Sequence, residues 1–127
     1  MESAAFEHTV QPLTEHNGVL VALKGSIDAH NAPQLEQVMR ELIEQGNRNI
    51  ILDLSQLQYI SSAGLGVFMV LYEEVQEQGG NVLFAALPEK VLTVFDLLGF
   101  TQLFQFFPTV AEAQRYLTSE QSEAAND

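Results

Sequence analysis

The chain has no cysteine among its 127 residues. That excludes a disulfide scaffold, thiol catalysis and cysteine metal sites, and it is compatible with a cytoplasmic location. Basic residues are scarce as well: 5 Lys and Arg stand against 17 Asp and Glu, a formal net charge of −12. A chain of that charge is repelled by phosphate backbones and anionic lipid, so no nucleic-acid binding is expected and partners should be proteins. No apolar run reaches the length of a membrane span, so no direct membrane insertion is expected. The first residues show no basic segment followed by an apolar one, so no signal peptide is visible.

The means of catalysis are also missing. The histidines, His8, His16 and His30, all fall in the N-terminal third, and no two share metal-ligand spacing on one helix. No Gly-rich phosphate loop runs into Lys-Ser or Lys-Thr, there is no dinucleotide fingerprint, and Gly64-Leu65-Gly66 is too short for either. The nucleophile elbow G-x-S-x-G does not occur. Asp53, at a strand end, is explained as well by loop capping as by pairing with a second carboxylate. No enzyme activity, metal or cofactor is expected.

What is present alternates strand and helix. Residues 1–5 look frayed, and residues 6–11 read as a short edge strand with Pro12 tolerated at its end. Asn17-Gly18 is a hairpin signal before a nearly all-apolar strand over residues 19–23, ended by Gly25-Ser26-Ile27-Asp28. Asn31-Ala32-Pro33 starts a helix, a capping side chain followed by proline in the first turn. Leu35, Val38, Met39, Leu42 and Ile43 follow at helical spacing, and Gly46 stops it. Residues 50–54 form a second buried strand. A helix over residues 61 to about 78 is stopped by Gly79-Gly80. Residues 81–86 form a third buried strand.

Pro88 opens a helix to Leu98 with Leu92, Phe95, Leu97 and Leu98 as core candidates and Gly99 as its stop. A short strand over residues 103–107 and a Thr109-capped helix through about Leu117 complete one domain, residues 1–117. Residues 118–127 carry no apolar residue except two alanines and read as an acidic disordered tail. This order predicts an α/β fold: a single layer of four to five mostly parallel strands, opened by a hairpin and packed with about four helices.

The chain is organised around residues 53–66, read as a strand end, a short polar loop and the first turn of a helix. Ser61 and Ser62 stand where that helix begins. One reading is capping, a serine oxygen accepting from an otherwise unpaired N–H. The other is phosphorylation: a helix N-terminus tolerates a phosphate, and the surface gains about −1.5 to −2 charges. Ala63 and Gly64 are small and leave the hydroxyl open. The helix is also apolar beyond one stripe, since Val67, Val70 and Leu71 extend the face made by Leu65, Phe68, Met69, Tyr72 and Val75. Such a helix is either sandwiched or carries a partner face.

The run Tyr59-Ile60-Ser61-Ser62-Ala63-Gly64-Leu65-Gly66-Val67 resembles the signature of STAS domains of the anti-sigma factor antagonist type, in which Asp-Ser-Ser/Thr-Gly-Leu-Gly follows a strand. Gly25-Ser26-Ile27-Asp28, Gln78-Gly79-Gly80 and Val94-Phe95-Asp96-Leu97-Leu98-Gly99-Phe100 are similar to further family motifs in the same order, over about residues 10–117. The resemblance implies a STAS-like fold and a partner-switching role. The unphosphorylated protein binds an anti-sigma factor that is also a serine kinase, which releases a sigma factor; phosphorylation ends the binding and a serine phosphatase resets it. The family's acceptor falls on Ser62. Its preceding acidic residue falls on Ser61, which makes Ser61 a second candidate hydroxyl, and its following Ser or Thr falls on Ala63.

The partner surface is expected to centre on the N-terminal half of this helix and the loop of residues 25–31, with Asp28, Ser61, Ser62, Ala63, Gly64 and Val67 as contacts. Asp28 is equally read as a cap for the helix that follows it. The runner-up function is a STAS-fold accessory subunit of a membrane transport or lipid-trafficking complex without a kinase cycle. A small-ligand enzyme or nucleotide binder is third.

Overall fold

The computed structural model describes residues 6–13 and 15–126. Residues 1–5, read as frayed, and Asp127 lie outside the described residues. Strands β1 (Phe6–Pro12) and β2 (Gly18–Ile27) form the antiparallel hairpin, and β3 (Asn49–Ile60), β4 (Asn81–Ala85) and β5 (Gln105–Phe107) continue in parallel, giving one sheet in the order β1-β2-β3-β4-β5. Helices α1 (Ala32–Glu44), α2 (Ser62–Glu77), α3 (Glu89–Leu97) and α4 (Val110–Asn126) connect or follow the strands, with a 3-10 turn at Phe100–Gln102. The α/β single layer expected from the sequence is therefore the fold.

The apolar strands cover both faces of the sheet, as buried parallel strands do. Val19, Val21, Leu23, Ile50, Leu52, Val82 and Phe84 share a core with Leu35 and Met39 of α1, Leu65 and Phe68 of α2, and Val91 and Phe95 of α3. The alternate positions Ile51, Leu83 and Ala85 meet Ala113 and Leu117 of α4 on the other face, together with Leu13. Aromatic rings knit the first core: Phe84 lies 5.4 Å from Phe68, 5.8 Å from Phe95 and 4.6 Å from Phe104, centroid to centroid. Such pairs add stabilisation beyond the area they bury.

The amino ends of the strands are held by asparagines. The Asn17 carbonyl accepts from the backbone N–H groups of Arg48 and Asn49, and Asn81 donates from Nδ2 to Asn49 Oδ1 at 3.0 Å and to Glu120 Oε1 at 2.8 Å. Gly18 is required here, because a Cβ would collide with the Asn49 carbonyl.

Three sequence expectations are corrected. First, β3 does not end near Leu54 in a polar loop; it runs to Ile60 beside the second half of β2. Register shifts between Ala22 and Lys24 and between Gly25 and Ser26 each give β3 one residue more than β2, so Leu54, Leu57 and Ile60 all turn inward at a spacing of three. Second, α3 buries Val91 and Phe95, one stripe of a short helix, while Leu92, Leu97 and Leu98 are exposed at 37%, 78% and 48%. Third, α4 continues beyond Leu117 to Asn126, and the Glu120 bond to Asn81 ties the added turn to the sheet.

Candidate functional site

The carboxyl ends of the parallel strands form one edge of the sheet, and the motif residues gather there. Ile27 pairs with Ile60, so the loop after β2 and the start of α2 are neighbours by register. The Ser61 N–H donates to the Ile27 carbonyl at 2.8 Å and joins the two. Ser61 is the N-cap of α2: its backbone is extended (φ −91°, ψ 171°), and its Oγ accepts from the Gly64 N–H at 3.3 Å. Ser62 is the first helical residue and is exposed. The two hydroxyls therefore differ. Ser61 serves the helix, and Ser62 faces solvent at a terminus that carries no acidic residue in its first turn.

The loop before α1 is an Asx turn. Asp28 Oδ1 accepts from the His30 N–H at 2.9 Å and the Asn31 N–H at 3.0 Å, while the Asp28 N–H donates to Asn31 Oδ1 at 2.9 Å. Asn31 Nδ2 donates to the Ser26 carbonyl at 2.9 Å. Asn31 is the N-cap residue by position, but its side chain braces the preceding loop instead of bonding the helix. Asp28 is half-buried, and its Oδ1 accepts from the loop N–H groups of His30 and Asn31, not from an N–H of α1.

Two expected contact residues do not reach the surface. Gly64 is buried, and a Cβ there would stand 2.7 Å from Ile27 Cγ2 and 2.9 Å from Ile60 Cγ1. Its smallness seats the helix on the strand ends and opens nothing to a partner. Val67 is 9% exposed and belongs to the core. With Val70 and Leu71 it lines a crevice shared with Met39 and Ile43 of α1, so the extra apolar residues of α2 are mostly sandwiched between helices. Val70 alone of the three stays half-exposed, at 45%. Ala63 is partly buried against the core.

What the edge presents is Ser62, the exposed Gly66, Ala29 and His30 of the Asx turn, and Tyr59 at 51% exposure. Sequence reasoning quoted Tyr59 inside the motif without giving it a role. The signal was an aromatic residue between the inward-facing Leu57 and Ile60, legible only once the bulged strand is known.

The arginines are engaged elsewhere. Arg40 of α1 reaches Glu36 at 3.0 Å and Glu74 of α2 at 3.4 Å, and the Glu36 hydrogen bond, helped by the Glu74 charge, holds its guanidinium pKa above the usual range. Arg48 donates to the Gln78 carbonyl at 2.6 Å, and Arg115 lies 3.9 Å from Glu112. No ion pair among the described residues involves Asp28, Ser61 or Ser62. Among the described residues no group of three or more His, Asp or Glu is placed to hold a metal, and no helix is long and apolar enough to cross a membrane.

Comparison with known proteins gives the same fold and a family. The STAS domain family model matches residues 11–113. The protein BtrV of Bordetella bronchiseptica is 36% identical over 89 residues, covering 69% of this chain and 77% of BtrV. The anti-sigma-B factor antagonist of Bacillus subtilis is 35% identical over 83 residues, 65% of this chain and 75% of that protein. Among solved structures, the anti-sigma factor antagonist SpoIIAA in its unphosphorylated form superposes with a TM-score of 0.77 at 22% identity, over 89% of this chain and 97% of its own. SpoIIAA from Bacillus in the phosphorylated form gives 0.68 at 21% identity, over 87% and 99%. At that identity the likeness is one of fold.

Proposed function

The chain belongs to the STAS domain family, among the anti-sigma factor antagonists, and on that premise we propose that it is a partner-switching antagonist controlled at Ser62. Unphosphorylated, it binds an anti-sigma factor that is also a serine kinase, and a sigma factor is released. Phosphorylation of Ser62 ends the complex, and a serine phosphatase restores it. The contact surface of this reading is Ser62 with Ser61, Ala63 and the Asp28 turn; Gly64 and Val67 are left out because both are buried.

One observation carries the reading: the cap and the exposed hydroxyl are different residues. Ser61 holds the Gly64 N–H, so modification of Ser62 breaks no hydrogen bond of the helix. A phosphate at the first helical position meets the positive end of the helix dipole, so the fold accommodates it. The partner meets something else. A surface that gains about −1.5 to −2 charges on a protein already at −12 is a poor fit for the ATP phosphates of a bound kinase. Desolvating the new group adds to that penalty. A loss of about 1.4 kcal/mol weakens binding tenfold, so charge alone suffices to switch occupancy. Ser61 supplies a neutral cap where the family pattern has a carboxylate, and the acceptor does not depend on that charge for exposure.

The test is incubation of the wild type, Ser61→Ala and Ser62→Ala with the purified anti-sigma factor kinase, ATP and magnesium, followed by site mapping. A single phosphate on Ser62, absent from Ser62→Ala, is the expected result. Phosphate on Ser61 alone moves the switch by one residue, and full partner binding by the phosphorylated protein removes it.

A further inference from the structure

The end of β3 outruns the rest of the sheet. Its last residue paired with β4 is Asp53, opposite Ala85, and among the described residues β1 accompanies β2 only as far as Gly25. Past those positions Ser26 and Ile27 pair with Tyr59 and Ile60 alone, a two-stranded tip about 20 Å beyond Asp53. Helix α2 covers one face of the tip, where Gly64 rests on Ile27 and Ile60. Tyr59 precedes the inward-facing Ile60 in the strand, so its side chain leaves by the other face. Helix α4 does not reach that far: the strand residues it covers are Ile51, Leu83 and Ala85, all at or below the level of Asp53.

We propose that the Tyr59 ring is the aromatic anchor of the partner complex, buried against an apolar surface of the same kinase that takes the Ser62 hydroxyl. The inference rests on the partner-switching reading and adds the contact that holds the complex together, while Ser62 decides when it forms.

Tyr59 is 51% exposed and is the one aromatic side chain among the large exposed hydrophobics of the described residues. It belongs to neither apolar cluster of the domain. Interfaces draw most of their affinity from a few buried contacts in which tyrosine is enriched, ringed by near-neutral ones. A tyrosine brings a large rigid area with few rotamers to freeze. The rest of the edge supplies no such group. Gly64, Leu65 and Val67 are buried under the start of α2, and Ser62, Gly66, Ala29 and His30 are small or polar.

The chain itself fixes the reach. Ser62 follows Tyr59 by three residues, so their Cα atoms are at most about 11 Å apart even for a fully extended backbone. A protein interface of ordinary size covers about 800 Å² per partner, a disc of roughly 16 Å radius. A kinase centred on Ser62 therefore closes over the tip and covers Tyr59. A second copy of this chain is a poor occupant, since two molecules of net charge −12 repel.

The test measures binding to purified anti-sigma factor kinase, and the kinetics of Ser62 phosphorylation with ATP, for the wild type, Tyr59→Phe, Tyr59→Ala and Tyr59→Thr, beside thermal melts and sedimentation of each protein alone. Threonine suits a strand, so Tyr59→Thr carries the test if alanine loosens the tip. Tyr59→Ala and Tyr59→Thr should weaken the complex about tenfold or more and raise KM to match, with kcat within about twofold and melting temperatures nearly unchanged. Tyr59→Phe keeps the ring and should stay within about threefold of the wild type. Affinity and KM within about twofold for both Tyr59→Ala and Tyr59→Thr overturn the anchor and leave the switch at Ser62 standing. A fall in kcat at unchanged KM overturns it too, because the ring would then orient the hydroxyl and not hold the kinase. So does a large drop in melting temperature for both variants, which would make the ring part of the domain's own packing, or a wild-type dimer that Tyr59→Ala dissociates. Weakened binding by the Tyr59 variants with no phosphate on Ser62 of the wild type keeps the anchor and overturns the switch.

Discussion

Two glycines of α2, two residues apart, should respond oppositely to the same substitution. Alanine in place of a helical glycine gains about 0.8–1.0 kcal/mol of helix propensity. At Gly66 an added Cβ meets nothing within 4 Å, so Gly66→Ala should stabilise the domain by about 0.5–1 kcal/mol. At Gly64 the added Cβ lies 2.7 Å from Ile27 Cγ2 and 2.9 Å from Ile60 Cγ1, where ordinary contacts begin near 3.5 Å. Both isoleucines are fully buried, so neither side chain has free space to turn into. Forcing a methyl into a filled core costs about 1–3 kcal/mol, which matches or exceeds the propensity gain. Gly64→Ala should therefore lose up to about 2 kcal/mol net. In a domain of this size each kcal/mol moves the melting temperature by about 3–5 °C, so Gly66→Ala should melt above Gly64→Ala by about 2–15 °C. Urea unfolding at unchanged slope would give the same ordering. Equal stabilisation by both alanines would refute the reasoning, because it would mean that α2 does not rest on the ends of β2 and β3.

The two serines should separate in the same assays. Ser61→Ala removes the cap and should cost about 1 kcal/mol, while Ser62→Ala should change stability by less than about 0.5 kcal/mol; the reverse order would mean that the cap is Ser62. At the far end of the sheet, Glu120→Ala should cost about 1 kcal/mol by removing an acceptor from half-buried Asn81, and a chemical denaturation curve identical to the wild type would place the domain boundary at Leu117 after all.

Local chemistry made much of this fold legible. Asn17-Gly18 turns the hairpin, Pro33 opens α1, and Thr109 caps α4 by accepting the Glu112 N–H at 3.1 Å, each a short-range event that a sequence window contains. The second half of β3 was hidden because its inward residues, Leu54, Leu57 and Ile60, follow neither strand nor helix spacing; bulges against β2 create that spacing, and they exist only once the strands pair. The α3 leucines misled for the opposite reason, since apolar residues appear all round a short helix that has only one neighbouring surface to bury. At the site, the serine pair and the helix start were readable, but the division of labour between Ser61 and Ser62 needed coordinates. Gly64 was read as an open approach, whereas its lack of a side chain answers to Ile27 and Ile60.

The register of the opening hairpin has a practical consequence for anyone attaching a reporter. Phe6 pairs with Gly25, so the first described strand begins beside the loop that carries Asp28, at the edge that carries Ser62. Helix α4 runs the other way and ties Glu120 to Asn81, at the amino ends of the strands. A dye or affinity handle attached at Phe6 stands beside the contact surface proposed above. The same handle near Glu120 stands at the amino ends of the strands, away from that proposed surface. Orientation of the label thus decides whether an experiment watches the complex form or prevents it.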